Sequence, residues 1–110
     1  MPHAELKFSS DLTFDTAAML QDIETVVQAA DPGAGACKGR GYPAEVYHHT
    51  HCLLNLMMLT KPHRDAAFTK ALLADLEATM RRHLTQKCFV SLGIDYATDA
   101  YVTTQHDPQN

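Results

Sequence analysis

Alternating apolar and polar residues open the chain. In the segment HAELKF, residues 3–8, every second side chain is apolar, and this period of two predicts a half-buried strand. The segment KCFVSLGIDY alternates in the same way and predicts a strand near the C-terminal end. Between them, the run CLLNLMML, residues 52–59, is almost continuously apolar. Such a run is typical of a strand that is covered on both faces.

Two other segments repeat their apolar residues at helical spacing. The first follows Asp15, a residue type that caps helices, and its apolar positions recur every three or four residues up to Ala30. The sequence Asp-Pro-Gly at 31–33 would end this helix. The second segment covers about residues 63–85, with Pro62 expected near its first turn.

A glycine-rich stretch separates the first helix from the apolar run. The sequence GAGACKGRGYPAEVYHHT predicts a loop that leads into an irregular strand, best formed near residues 45–49. The predicted order is therefore strand, helix, strand, twice over. We expect a single α/β (α+β) domain over residues 1–110, with one βαβ unit at about 2–49, a second at about 52–96, and a polar C-terminal tail at 97–110.

Both helices of such a fold lie on one face of a four-stranded mixed sheet. The other face would then be bare, although the run at 52–59 is apolar on both of its sides. An exposed apolar sheet face needs a cover. In so small a chain the natural cover is another copy of the same chain.

Composition and charge narrow the function classes. The 110 residues carry a formal net charge of −4, which argues against a nucleic-acid-binding protein. No apolar run approaches the roughly 18 residues that a membrane span needs, and the chain shows no basic, apolar leader. The three widely spaced cysteines are typical of reduced thiols. We expect a soluble, cytoplasmic protein.

Proline stands directly after Met1 and allows two interpretations. Pro2 could simply begin the first strand, because proline has no N–H for the sheet and is confined to edges and first residues. Alternatively, removal of Met1 would give Pro2 a free secondary amine. An α-amino group titrates near 7.7 to 8, and desolvation lowers that pKa. Such an amine could act as a general base near neutral pH.

Several segments together resemble a known family. They are the opening MPH, the cationic strand CKGRG, the segment KPHRDAAF before the second helix, and the helix end RRHL. With two βαβ units and a bare apolar sheet face, the chain resembles the tautomerase superfamily, and within it the 5-carboxymethyl-2-hydroxymuconate isomerases. The resemblance implies a homotrimer assembled around that face.

The resemblance also implies an activity. It is a cofactor-independent isomerase of aromatic compound catabolism, which moves a proton in an unsaturated 2-hydroxy or 2-keto (di)carboxylic acid. The Pro2 amine would serve as general base and then as general acid. We therefore expect Pro2 to be catalytic, a small anionic molecule to be the substrate, and no metal or cofactor to be needed.

Cations near the glycine-rich strand would bind such a substrate. Lys38 and Arg40 are two residues apart, so on a strand they point to one side. By resemblance they match a pair of family arginines that bind the substrate carboxylate and polarise its carbonyl. Lysine at the first position lacks the bidentate fork of arginine. Arg64 matches another family arginine, although an arginine at the start of a helix is also common on a surface.

Aromatic residues are candidates for the pocket walls, with ordinary packing as the alternative for each. They are Tyr42, Phe89 and Tyr96. A second hypothesis for the whole chain is a non-catalytic trimeric scaffold or binding protein of the same fold. In that case Met1 would stay in place and Pro2 would remain an amide.

The histidine cluster YHHTHC suggests a third, less favoured hypothesis. His49 and His51 would share a strand face, and His48, Cys52 or His63 could complete a zinc-type ligand set. The spacing matches no closed site, so a solvated turn is the preferred interpretation. Cys37 precedes two cations that would lower its thiol pKa, but no histidine and carboxylate stand beside it in sequence, so we do not expect a nucleophile.

Overall fold

A computed structural model of the chain describes residues 1–109 and contains one sheet with two long helices. The elements are β1 (His3–Ser9), α1 (Thr16–Ala30), a short 3₁₀ helix (Pro32–Ala34), β2 (Lys38–Ala44), β3 (His51–Leu59), α2 (Ala66–His83) and β4 (Phe89–Ala97). The strand order is β2-β1-β3-β4. β1 is parallel to β2 and antiparallel to β3, and β3 is parallel to β4. The predicted four-stranded mixed sheet built from two βαβ units is confirmed.

Aspartates define where both helices begin. The carboxylate of Asp15 accepts a hydrogen bond of 3.0 Å from the Ala18 N–H, so the predicted cap of α1 is confirmed. α2 begins at Ala66, where Asp65 accepts from the Phe68 N–H at 2.9 Å. The prediction that this helix starts near Pro62 is wrong, because residues 61–64 form a turn before the cap. No helix within residues 1–109 is long and apolar enough to cross a membrane.

β2 lies earlier in the chain than its sequence suggests. The strand pairs with β1 from His3↔Lys38 onward and ends at Ala44, whereas residues 45–49 form bends. The prediction of a strand centred on 45–49 is therefore wrong. Glycine occupies positions in this strand because α1 packs closely against it. A Cβ on Gly41 would lie 2.6 Å from Cγ2 of Thr16. The glycines that predicted a loop instead allow a helix to approach the sheet closely.

The hydrophobic core fills the space between the helices and one sheet face. Every second residue of β3 points into this core and is almost completely buried, as in Cys52, Leu54, Leu56 and Met58. The intervening residues of β3 are only half-buried and belong to the opposite face, which no element of residues 1–109 covers. Those residues are Leu53, Asn55, Met57 and Leu59.

The two βαβ units repeat one detail of their backbone pairing. In the first unit the N–H of Lys38 donates to the carbonyl of Pro2 at 3.0 Å. In the second unit the N–H of Phe89 donates to the carbonyl of Thr50 at 3.0 Å. In both cases the first residue of the second strand bonds to the residue just before the first strand. Because β1 and β3 are antiparallel, these two positions lie at opposite ends of the sheet.

Candidate functional site

Pro2 is fully buried at the start of β1. Its carbonyl accepts the hydrogen bond from Lys38, which joins it to the first residue of β2. Strand alternation places its ring on the same side as Ala4, under the helices. Both interpretations of Pro2 agree with this position, since it directly precedes β1 and also lies beside the N-terminal amine.

A cavity of about 580 Å³ adjoins this N-terminus. Met1, Ala36 and Lys38 form one part of its wall, and the tail segment Thr103, Thr104, Gln105 and His106 forms the other. The Lys38 ammonium contacts the sulfur of Met1. The contribution of the tail was missed at the sequence level, where the only signal was its polar composition.

Positive charge surrounds the N-terminal amine. Burial lowers the pKa of the Met1 amine below 8.0, and the nearby charges of Lys38, Arg64 and Lys61 lower it further. Like charges disfavour protonation, so an amine here holds its proton less tightly than one in water. The same cations would attract an anion into the cavity.

Arg40 lies on the uncovered face of the sheet. Gly39, between Lys38 and Arg40, faces Leu20 of α1, so both cations point to the opposite side, as predicted. Arg40 lies 3.4 Å from the Glu5 carboxylate. It lines a second cavity of about 480 Å³, with His3, Glu5, Asn55, Met57, Asp95 and Tyr101. Within one chain, the two cations therefore line different cavities.

Tyr101 connects the second cavity with the N-terminus. Its hydroxyl lies 3.0 Å from Nε2 of His3 and donates to the carbonyl of Met1 at 3.3 Å. Nδ1 of His3 lies 3.4 Å from the Arg40 guanidinium. Burial, followed by the charges of Arg40 and Lys38, lowers the pKa of His3 below 6.5. Tyr101 carried no sequence signal, because the tail meets β1 only in the folded chain.

Arg64 is held in a buried ion pair. Its side chain is 4% exposed, and two of its nitrogens donate to one oxygen of Asp31 at 3.0 and 2.7 Å. A third nitrogen donates to the carbonyl of Leu59 at 2.7 Å. Hydrogen bonds from His63 and then from Arg64 lower the pKa of Asp31 to about 2. The charge of Arg64 therefore lowers the pKa of the N-terminal amine from a distance. Two nitrogens of its guanidinium are already bonded to Asp31.

The three aromatic candidates are spread over the sheet. Tyr42 is 44% exposed on the side that carries Lys38 and Arg40. Tyr96 packs against the core, with its hydroxyl bonded to that of Thr69 in α2. Phe89 is 68% exposed and pairs with His51, at the end of the sheet farthest from Pro2. None of the three lines the cavity beside Met1.

The histidine cluster spans the turn before β3 and the first residues of that strand. His49 has a φ of 65° and its ring lies against those of His48 and Phe89. Nδ1 of His51 lies 2.8 Å from the carbonyl of His49. Among residues 1–109, no three side chains of His, Cys, Asp or Glu come together as metal ligands would.

The expected lowering of the Cys37 pKa is wrong. Burial, with Glu24 nearby, raises the pKa of this thiol to about 11 and outweighs the opposite effect of Lys38. A carboxylate oxygen of Glu24 accepts from the Cys37 N–H at 2.8 Å, so it lies beside the residue. Cys37 is therefore a poor nucleophile in this fold.

Comparison with known proteins identifies the fold. No protein-family model and no curated protein sequence matches the chain. Among solved structures, a 5-carboxymethyl-2-hydroxymuconate delta-isomerase superposes with a TM-score of 0.79, at 19% identity over 96% of this chain and 89% of that one. A 5-carboxymethyl-2-hydroxymuconate isomerase from Deinococcus radiodurans R1 gives a TM-score of 0.72 at 19% identity, covering 96% and 90%.

A third structure, a fused 4-OT wild-type symmetric trimer, superposes with a TM-score of 0.71 at 12% identity, covering 94% of this chain and 93% of that one. The resemblance to the tautomerase superfamily is thus confirmed for the fold.

Proposed function

We propose that this tautomerase-fold protein is a cytoplasmic isomerase that moves a proton within an unsaturated 2-hydroxy or 2-keto (di)carboxylic acid of aromatic compound catabolism. The catalytic group is the Pro2 amine, freed by removal of Met1, and no cofactor takes part. The observation that carries the proposal is the cationic cavity at the N-terminus, which Met1 and Lys38 line together.

The surroundings of the N-terminus support an amine base. Burial and three cations lower the pKa of the Met1 amine, and the same influences would act on a Pro2 amine one residue further in. A lowered pKa increases the fraction of a Pro2 amine that is unprotonated at neutral pH and can accept a proton. The protonated amine then returns that proton to a different atom of the same substrate. This sequence moves the double bond without any net change in atoms.

The cations supply the second requirement, which is to bind an anion. Lys38 lines the cavity and would pair with a substrate carboxylate. Arg64 adds long-range attraction from its buried position. Arg40 lies on the uncovered sheet face, so its contact with substrate would depend on how copies of the chain assemble.

A homotrimer would cover the bare sheet face and complete the pocket. The half-buried apolar residues of β3 lie on that face, and burying them between copies stabilises an assembly. Phe89 pairs with His51 at the other end of the sheet and lies about 23 Å from Pro2 along that sheet, counted as about seven residues at about 3.3 Å each. In a trimer, Phe89 would therefore serve the site of a neighbouring copy, as would any pocket residue at that end.

Kinetics on processed protein test the role of Pro2. Intact-mass measurement first establishes that Met1 has been removed, and ketonisation of 2-hydroxymuconate is then followed by ultraviolet absorbance. Because general base catalysis contributes about 10² to 10⁴-fold, Pro2→Ala should lose at least about 100-fold in kcat/KM. Pro43→Ala, in the edge strand β2, is the matched control and should keep its activity.

Two results would argue against an enzyme. Equal rates for wild type and Pro2→Ala would remove Pro2 from the mechanism. Retention of Met1 on protein isolated from cells would leave Pro2 as an amide, which cannot act as a base. That second result would favour the alternative of a non-catalytic scaffold or binding protein with this fold.

A further inference from the structure

A chain of hydrogen bonds runs from Arg40 to the peptide bond between Met1 and Pro2. Arg40 Nη1 lies 3.4 Å from His3 Nδ1, His3 Nε2 lies 3.0 Å from the Tyr101 hydroxyl, and that hydroxyl lies 3.3 Å from the Met1 carbonyl oxygen. The groups come from β2, β1 and the tail, so this series of hydrogen bonds forms only in the folded protein. The proposed reaction uses none of its side chains except Arg40.

The chemistry of the groups gives this chain a direction. A guanidinium has only donors, so His3 Nδ1 must accept from Arg40 and carries no hydrogen. A neutral imidazole then carries its hydrogen on Nε2, which donates to the oxygen of Tyr101. The hydroxyl hydrogen of Tyr101 is thereby left to point at Met1. Each of these three hydrogen bonds therefore donates toward the N-terminus.

The oxygen at the end of the chain lies next to the proposed base. With a C=O bond of about 1.23 Å and a C–N bond of about 1.33 Å, the Met1 oxygen is about 2.3 Å from the Pro2 nitrogen. Tyr101 is therefore aimed at an oxygen in the immediate neighbourhood of that nitrogen. Removal of Met1 takes this acceptor away and leaves the oriented donor beside the amine.

We propose that Tyr101 donates a hydrogen bond to the substrate's enol or keto oxygen, with His3 and Arg40 as the positioning residues that hold its hydroxyl in that direction. This inference rests on the proposed function. Pro2 removes a proton from one atom of the substrate and returns it to a carbon, and between these steps negative charge resides on the substrate oxygen. Tyr101 stabilises that charge and keeps its own proton, so no bond to Tyr101 forms or breaks. A donor already in place for a developing oxyanion accelerates such a step.

Two measurements on processed protein test this role, one kinetic and one by binding. Tyr101→Phe should lower kcat for dienol ketonisation about 100-fold and change KM little. It should also weaken the binding of oxalate, a planar dianion that imitates the carboxylate and enolate oxygens, about 10-fold in titration calorimetry. Tyr47→Phe is the matched control, because that hydroxyl lies near Asp11, away from Met1.

The positioning role of His3 has its own readouts. His3→Leu should lower kcat as much as Tyr101→Phe does, and the double variant should lose no more than either single one, because both act through one hydrogen bond. Nitrogen-15 NMR should find His3 neutral with its hydrogen on Nε2 at neutral pH. If the losses of kcat in the two single variants add up in the double variant, or if the hydrogen of His3 is found on Nδ1, the proposed direction of these hydrogen bonds is wrong.

The two measurements separate this inference from the proposed function. If wild type is active and Tyr101→Phe keeps both its kcat and its oxalate affinity within twofold, the inference is overturned and the isomerase stands. If wild type isomerises no dienol, the proposed isomerase activity is refuted. Loss of oxalate affinity in Tyr101→Phe would then still support the donor, whereas unchanged affinity, or no oxalate binding by wild type, would overturn it.

Discussion

The ion pair between Asp31 and Arg64 gives a stability prediction whose size follows from the structure. Asp31→Asn removes the charge and keeps a side chain of nearly the same shape. Arg64, only 4% exposed, would then be a buried cation without its carboxylate. Breaking a buried pair from one side costs about 3 to 5 kcal/mol, and the remaining bond to Leu59 favours the lower part of that range.

Titration of Asp31 gives a second, independent magnitude. Its pKa falls from 3.8 to about 2 in the folded chain, and at about 1.36 kcal/mol per pKa unit the carboxylate contributes about 2 kcal/mol. Because the folded pKa is depressed, this contribution is complete above the unfolded pKa of 3.8. It is lost as the pH falls through that value toward 2. The two magnitudes together predict a loss of about 2 to 3 kcal/mol for Asp31→Asn near pH 7.

Urea unfolding at fixed protein concentration measures this loss. The difference between wild type and Asp31→Asn should be full near pH 7 and should shrink markedly by about pH 2, where wild type also loses its carboxylate. Glu77→Gln is the matched control, since its partner Arg81 is 69% exposed, and exposed pairs contribute about 0 to 1 kcal/mol. A difference below about 0.5 kcal/mol, or one that is the same at both pH values, would refute the argument.

Three further predictions follow from other contacts. Gly41→Ala should lower the free energy of unfolding in urea by about 1 to 3 kcal/mol, because the new methyl group would lie 2.6 Å from Cγ2 of Thr16. Adding Thr16→Ser, which removes that carbon, should restore most of the lost stability. A double variant as unstable as Gly41→Ala would contradict the contact. Gly93→Ala meets nothing within 4 Å and should be near neutral, so a large loss would indicate that another copy closes over it. Cys37, with a pKa of about 11, should react with iodoacetamide near pH 8 about 100-fold more slowly than in urea, and equal rates would show that its thiol is not buried.

Local pattern was enough to predict most of the fold. The alternation of residues 3–8 predicted β1, the apolar run at 52–59 predicted β3, and Asp15 predicted the start of α1, all of which the structure contains. These features depend on periodicity and capping, which act over a few residues. The two helices on one face followed from the order of the elements.

The failures have a common physical cause, which is contact between distant parts of the chain. Gly39 and Gly41 predicted a loop, but their role is to accommodate α1. Nothing in the sequence indicated that Arg64 pairs with Asp31, which lies 33 residues away. Tyr101 meets His3 across 98 residues. No local pattern carries such pairings, so the wall of the candidate site could be read only from the folded chain.

The repeated backbone bond at Pro2 and Thr50 has a consequence for how this architecture could be rewired. Both residues precede the first strand of a βαβ unit, and both accept from the first residue of the partner strand. Pro2 lies beside the N-terminal amine and is bonded to Lys38, whereas Thr50 lies inside the chain and is bonded to Phe89. A circular permutant that joins the present ends and starts at position 50 would carry its amine to the far end of the sheet. There it would face an aromatic ring in place of a cation, so the geometry would be duplicated and the chemistry would not.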